Sequence, residues 1–365
     1  MKKIQIMVVD DSAVVRRLLT TIIAEDPELE VIGVAHNGKI ALRMLETMEP
    51  DLITLDIEMP EMDGLEALLE IRKRFRRLPV IMFSTMTERG ASATLEALAG
   101  GANDYVTKPA NVGSVTAAMD AVRTQLIPKI KAFCRPTMPV PTRGGPATGP
   151  ATGLVANRVA KVARTKQIDL VAIGASTGGP TALASVVSAL PADLPVPVVV
   201  TQHMPPVFTK YLSKRLDGSS AIDVREAEEG DVLRPGLVLI APGDFHMTFR
   251  ATDSGKVVVL DQGPQVHFCR PSVDVMMASV AKTFQGRVLS VILTGMGSDG
   301  RDGCTTLRDL GAEVIVQDQA TSVVWGMPGA IVALGLADQV LPLDDIGAAI
   351  VQRVTRRLTG IRSGA

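Results

Sequence analysis

The sequence predicts an α/β protein made of two doubly wound parallel-sheet domains joined by a flexible linker. Three observations predict it. Short apolar runs alternate with amphipathic stretches from the N-terminus to about residue 125. The alternation fails across a stretch dense in Pro, Gly and Thr, and it restarts at about residue 167. Strands alternating with helices imply a parallel sheet with helices on both faces.

In the first segment Ile4–Val9 reads as a strand, and Val14, Leu18, Leu19, Ile22 and Ile23 follow at helical spacing. Asp51–Leu55, Pro79–Phe83 and Tyr105–Thr107 are further strands, with helical patterns at Ile40–Leu45, Leu65–Arg72 and Thr94–Ala99. From about Arg135 to Lys166, RPTMPVPTRGGPATGPATG and the basic run after it bury too little apolar surface to order themselves. Beyond them Asp169–Ile173, Val196–Thr201, Gly236–Ile240, Val288–Leu293 and Ala312–Val316 read as strands. Thr181–Ala189, Val273–Thr283 and Thr305–Leu310 read as helices. The expected division is a first domain at 1–125, a linker at 126–166, a second domain at 167–358 and a tail at 359–365.

Composition narrows the function. The chain has 365 residues, 46% of them hydrophobic, enough for two cores. A net charge of -1 leaves no electrostatic footprint for nucleic acid. No apolar run is long enough to insert in a bilayer, and MKKIQIMVVDD reads as a first strand and not as a signal peptide. Cys134, Cys269 and Cys304 are scattered, with no CxxC pair, which suits a reducing cytoplasm and suggests neither a disulfide framework nor a zinc site.

Asp10 and Asp11 follow the first strand, and Asp56 follows the third. The C-terminal ends of strands in a doubly wound sheet converge on one crevice. Three carboxylates there repel one another unless a cation balances them, and hard oxygen ligands suit Mg²⁺. Ser84 and Lys108 end the next two strands. Together the five could hold a phosphoryl group on Asp56, although Asp11 and Ser12 taken alone could simply cap a helix. In VVDDS, LDIEMPEMDG, VIMFST and DYVTKP the segment resembles the response-regulator receiver family, a flavodoxin-like fold. The resemblance implies that Asp56 is the phosphoacceptor, that Asp10, Asp11, Asp56 and the Glu58 carbonyl bind Mg²⁺, and that Ser84, Tyr105 and Lys108 read out the phosphoryl state.

The second domain opens with DLVAIGASTGGP, where Gly174–Gly178 fits G-x-S-x-G on a strand-to-helix turn. Small residues there expose the Ser176 hydroxyl, and the helix N-terminus favours developing negative charge. A phosphate-binding loop competes, but neither G-x-G-x-x-G nor a Walker lysine is present. A bare helix cap also competes. Of the four histidines, His36 reads as a surface loop residue. His203 lies at a strand's C-terminal end, as Ser176 does, so the shared sheet edge favours it as the base, with His246 next. Nothing fixes the direction of His267. The loop TGMGSDGRDG offers Asp299 and Asp302 as the orienting acid, Asp302 fitting a helix cap better. Its glycines leave N–H groups free for an oxyanion. The order Ser…His…Asp is not that of α/β-hydrolases.

In IGASTGGP, TQHMPP, APGDFHM, CRPSVDVM and LTGMGSDG, over about residues 169–355, this domain resembles the catalytic domain of the chemotaxis protein-glutamate methylesterases, the CheB type. That resemblance implies a Rossmann-like serine hydrolase with Ser176 as nucleophile, His203 as base, Asp299 as orienter and the Met296 N–H at the oxyanion, without a metal in this site. The implied substrates are glutamyl methyl esters and glutamines of methyl-accepting chemotaxis receptors. The implied phosphodonor is a chemotaxis histidine kinase, and the implied place is the cytoplasm, at receptor arrays. It further implies that the unphosphorylated receiver obstructs the substrate cleft. One departure stands out: Asp244 in APGDFHM replaces a glycine that many such proteins carry. A DNA-binding output would need a basic helix-turn-helix, which the Gly-rich second segment lacks, and a nucleotide-dependent enzyme would need the missing Gly-rich fingerprints.

Overall fold

A computed structural model describes residues 2–109, 114–134, 167–253 and 255–356. The first domain alternates β1 (Ile4–Val9), α1 (Ala13–Ala24), β2 (Leu29–Ala35), α2 (Gly38–Met44), β3 (Leu52–Asp56), α3 (Gly64–Arg74), β4 (Val80–Ser84), α4 (Glu88–Ala99), β5 (Asp104–Thr107) and α5 (Val115–Cys134). Its five strands run parallel in the order β2-β1-β3-β4-β5. The strands are nearly continuous apolar runs because both faces are covered. Ile6 and Val8 pack with Leu19, Ile22 and Leu126 on one face, and Met7 and Val9 pack with Ala67, Leu68 and Ile71 on the other. Side-chain caps start the helices: Ser12 Oγ accepts from the Val15 N–H, and Asp63 and Glu66 form a capping box on α3.

Helix α5 runs past the boundary expected at 125. Val122, Leu126 and Ile130, at four-residue spacing, are all buried against the first sheet. Pro128 sits inside the helix without ending it. The rest of the expected linker, from 135 to 166, and the tail at 359–365 lie outside the described residues.

The second domain continues β6 (Leu170–Ala175), α6 (Gly179–Ser188), β7 (Val198–Gln202), α7 (Phe208–Ser219), β8 (Asp223–Glu226), β9 (Leu237–Ile240), β10 (His246–Thr252), β11 (Gly255–Asp261), α8 (Val273–Phe284), β12 (Val288–Ile292), α9 (Arg301–Asp309), β13 (Glu313–Gln317), α10 (Met327–Ala333), β14 (Gln339–Leu341) and α11 (Leu343–Val354). Seven of these strands form a parallel sheet in the order β14-β13-β12-β6-β7-β9-β8. Helices α6, α7 and α11 cover one face, and α8, α9 and α10 the other. β10 and β11 pair as an antiparallel hairpin outside the sheet. The chain leaves β6 toward β7 on one side and later returns to β12 on the other, so a crevice opens where the strand order reverses.

The two domains share an apolar contact. Helix α4 packs on α6 and α7, and Tyr105 stacks on Phe208 with ring centroids 4.9 Å apart. The Tyr211 hydroxyl donates to Glu88 at 3.2 Å. Among the described residues, no helix is long and apolar enough to cross a membrane.

Candidate functional site

Two sites lie at the C-terminal edges of the two sheets. In the first domain, β1 and β3 are neighbours, so the residues that end them meet. Carboxylate oxygens of Asp10, Asp11 and Asp56 lie within 4.8 Å of one another. Lys108, just past β5, reaches Asp10 Oδ2 at 3.0 Å and Asp56 Oδ2 at 2.7 Å. The Ile57 N–H donates to Asp56 Oδ1 at 2.8 Å, and the Ser12 N–H to Asp10 Oδ1 at 2.9 Å. Burial, reinforced by the charge of Asp10, raises the Asp56 pKa to about 6 despite the lysine. Burial likewise raises that of Asp10. One ammonium therefore does not balance three clustered carboxylates, and an all-oxygen site of this charge fits a hard divalent cation.

The other receiver residues are placed as follows. Glu58 turns its side chain outward toward Arg89, at 3.4 Å. Ser84, at the end of β4, donates its hydroxyl to the Gly90 carbonyl at 3.1 Å. Tyr105 is buried with its ring turned to the second domain. Lys129 of α5 donates to the Tyr105 carbonyl at 2.7 Å and pairs with Asp104 at 2.9 Å.

In the second domain β7, β6 and β12 are adjacent, and their ends deliver His203, Ser176 and the loop that carries Asp299. Ser176 and Thr177 lie between β6 and Gly178, whose φ of +76° permits the tight entry into α6. The Ser176 N–H donates to the Thr294 carbonyl at 3.0 Å. Gln202 Nε2 donates to the Ser176 carbonyl at 2.9 Å. Gly295 stands directly behind the serine: a Cβ there would lie 2.9 Å from Ser176 Cβ and 2.3 Å from Met327 Sδ. The Ser176 turn is thus pinned from both neighbouring strands.

His203 Nε2 donates to Asp299 Oδ2 at 2.8 Å. That oxygen also accepts from the Val273 N–H at 2.7 Å. Oδ1 accepts from Ser272 Oγ at 2.9 Å, the Asp274 N–H at 2.9 Å and the Gly300 N–H at 3.0 Å. Burial opposes ionisation of Asp299, but the His203 hydrogen bond and charge, with the amides, overcome it and lower its pKa to about 2. Burial also opposes charge on His203. The hydrogen bond to Asp299, with the Cys269 sulfur behind it, outweighs that and raises the imidazole's pKa. The other ring nitrogen, Nδ1, is hydrogen-bonded to Cys269 Sγ at 3.5 Å.

Ser176, His203, Met296 and Asp299 line one cavity of about 370 Å³. The Met296 N–H has no hydrogen-bond partner among the described residues. The same cavity is lined from the receiver by Tyr105, Gln125, Pro128 and Lys129. It adjoins a wider cleft of about 910 Å³ between the domains.

The alternatives that the sequence left open separate clearly. His246 is buried away from the serine, its ring between the Pro264 carbonyl and the Ser272 N–H. Asp302 sits in the first turn of α9, exposed and paired with Arg301. His267 faces the cavity and pairs with Asp274 at 3.1 Å. Asp244 adopts φ +68°, the conformation that glycine favours, and its carboxylate holds Arg270 at 2.6 Å on the rim. Sequence reasoning missed Cys269, Ser272, Asp274 and the turn at 266–269. The string CRPSVDVM marked the region but not which of its groups bear on His203 and Asp299.

The chain resembles known proteins over nearly its whole length. Residues 171–350 match the CheB methylesterase family, and residues 6–120 match the response regulator receiver domain family. The chain is 48% identical to a protein-glutamate methylesterase/protein-glutamine glutaminase of Trichodesmium erythraeum, over 97% of this chain and 100% of that one. It is 48% identical to a protein of the same name from a Nocardioides species, over 98% and 97%. The CheB methylesterase catalytic domain of Thermotoga maritima superposes with a TM-score of 0.50 at 42% identity, covering 51% of this chain and 99% of that one. A receiver-type domain precedes a Ser–His–Asp cavity in a single chain with these relatives, and the chain belongs to the CheB methylesterase family.

Proposed function

We propose that this chain hydrolyses glutamyl methyl esters on methyl-accepting chemotaxis receptors, deamidates receptor glutamines, and is controlled by phosphorylation of its receiver. The observation that carries the reading is the 2.8 Å His203–Asp299 pair in the cavity that also contains Ser176. Ser176 Oγ attacks the ester carbonyl, and His203 takes its proton on Nδ1 while Asp299 holds the ring through Nε2. The Met296 N–H donates to the oxyanion. The ester C–O bond breaks, and His203 returns the proton to the departing methanol. Water then attacks the acyl-serine by the same route and restores Ser176. With glutamine the leaving group is ammonia, and the same groups serve.

In the receiver, Asp56 is the phosphoacceptor for a chemotaxis histidine kinase, and Asp10, Asp11, Asp56 and the Glu58 carbonyl would hold Mg²⁺. When bound there, such an ion would supply positive charge against the phosphoryl group. Ser84 and Lys108 contact the phosphoryl oxygens, and Tyr105 carries the change to the domain contact. Tyr105, Gln125, Pro128 and Lys129 on the cavity wall support a receiver that restricts substrate entry until Asp56 is phosphorylated. The enzyme works in the cytoplasm, at receptor arrays. A fluorophosphonate probe tests the site: mass spectrometry should find it on Ser176, and Ser176→Ala should remain unlabelled. A label on another residue contradicts the assignment.

A further inference from the structure

The chain between β11 and α8 makes a two-residue reversal. Val266 and Cys269 exchange hydrogen bonds in both directions, at 3.1 and 2.9 Å. The two residues between them, His267 and Phe268, have φ of +52° and +61°. Positive φ at both central positions defines the tight turn in which Asn-Gly is the preferred pair. Here a histidine and a phenylalanine occupy it. His267 has a local partner in Asp274, at 3.1 Å. Phe268 has none: its side chain is 96% exposed, and it is the one exposed aromatic among the described residues. A bulky side chain in that backbone conformation is a rare and strained choice, and here no packing offsets it.

The location gives the strain a use. Phe268 lines both the catalytic cavity and the wider cleft, so it stands where one opens into the other. The inner cavity, about 370 Å³, has room for the ester-bearing side chain and not for the protein segment that carries it. Recognition of that segment must therefore come from the rim, and rigid aromatic rings are the usual anchors of such contacts. A rigid turn that projects one ring into solvent at this rim is preorganised for an apolar contact.

We propose that Phe268 is a substrate-docking residue, whose ring packs on an apolar side chain of the receptor that neighbours the methylated glutamate. An apolar neighbour can contact the rim at Phe268 while the glutamyl ester enters the cavity. The proposal rests on the receptor-esterase reading above, which its test keeps separate.

The test uses the full chain and its Phe268→Gly and Phe268→Leu variants. Methanol release is measured from methylated receptor and from a small soluble ester, the γ-methyl ester of N-acetylglutamate amide. For Phe268→Gly the expected result is a fall of about tenfold or more in kcat/KM on receptor, carried by KM. Hydrolysis of the small ester should stay unchanged, and Tm should be no lower, because glycine relieves the positive φ. Phe268→Leu, which keeps an apolar surface, should retain most receptor turnover. Parent-like kcat/KM of Phe268→Gly on receptor overturns the proposal, as does an equal loss on the small ester. A parent chain that hydrolyses the small ester but not the receptor overturns the functional reading, and the docking role with it.

Discussion

Asp299→Asn tests the site at a single atom. The carboxylate accepts from five donors: His203 Nε2 and Val273 N–H on Oδ2, and Ser272 Oγ, Asp274 N–H and Gly300 N–H on Oδ1. An asparagine must turn its amide nitrogen to one side or the other. Toward Oδ1 it would face the Asp274 and Gly300 amides and strand both. Toward Oδ2 it would strand only the Val273 amide, and His203 could turn acceptor at Nε2. Each stranded buried donor costs about 1–3 kcal/mol, so the second orientation wins and stability should fall by about 1–3 kcal/mol. That orientation fixes the wrong imidazole tautomer: Nδ1 carries the hydrogen and cannot take the proton of Ser176. The same fault lowers kcat by about 10⁴-fold in a serine protease triad. The expectation is therefore a folded chain, with Tm lower by about 2–4 °C per kcal/mol, and almost no methanol release. Thermal denaturation and steady-state esterase assays read the two effects separately. Asp299→Asn within about tenfold of the parent rate would refute the tautomer reasoning.

The pH profile should follow the same pair. His203 must be neutral to act as base, and its pKa is raised, so the esterase rate should climb with pH beyond neutrality; a plateau reached at the ordinary histidine value of 6.5 contradicts this. For stability the signs are opposite. Asp299, lowered from 3.8 to about 2, contributes above 3.8 and loses that contribution as pH falls through about 2. His203, raised, contributes fully below 6.5 and loses it as pH rises through the raised value, which denaturation across both ranges would check. Chelation with EDTA should block phosphorylation of Asp56 and leave basal ester hydrolysis unchanged, and a loss of basal hydrolysis would place a metal in the esterase site. Cys269 Sγ lies 3.5 Å from His203 Nδ1, so alkylating it with iodoacetamide should stop turnover. The Cys269→Ala chain should resist the reagent and stay active; inactivation of that chain as well would place the sensitive group elsewhere.

Much of this was legible in the sequence because parallel sheets gather strand ends. Once Ile4–Val9 and Val288–Leu293 read as buried strands, Asp10 and the Asp299 loop had to lie at the same edges as Asp56 and Ser176. Other features had no local signal. The edge strand β2 (LEVIGVA) is partly exposed, and Gly33 inside its apolar run weakens the strand signal. Pro128 reads as a helix stop, yet Val122, Leu126 and Ile130 carry α5 through it. The turn at 266–269 defied recognition because His-Phe stands where turn chemistry calls for Asn-Gly. The receiver's share of the catalytic cavity arises from packing between residues such as Tyr105 and Phe208, far apart in the chain, which no periodicity encodes.

Control of a serine esterase by a receiver that covers its cavity can be read from one comparison. Methanol release from methylated receptor is measured side by side for the intact chain, the intact chain with a phosphodonor, and a chain lacking residues 1–166. The Tyr105–Phe208 stack contributes about 0.5–1.5 kcal/mol beyond its buried area, so this contact by itself favours the closed state by about 2- to 13-fold. Deletion and phosphorylation should each raise the rate by a factor in that range, and Asp56→Asn should abolish the response to the phosphodonor. A deleted chain no faster than the unphosphorylated intact chain would contradict it.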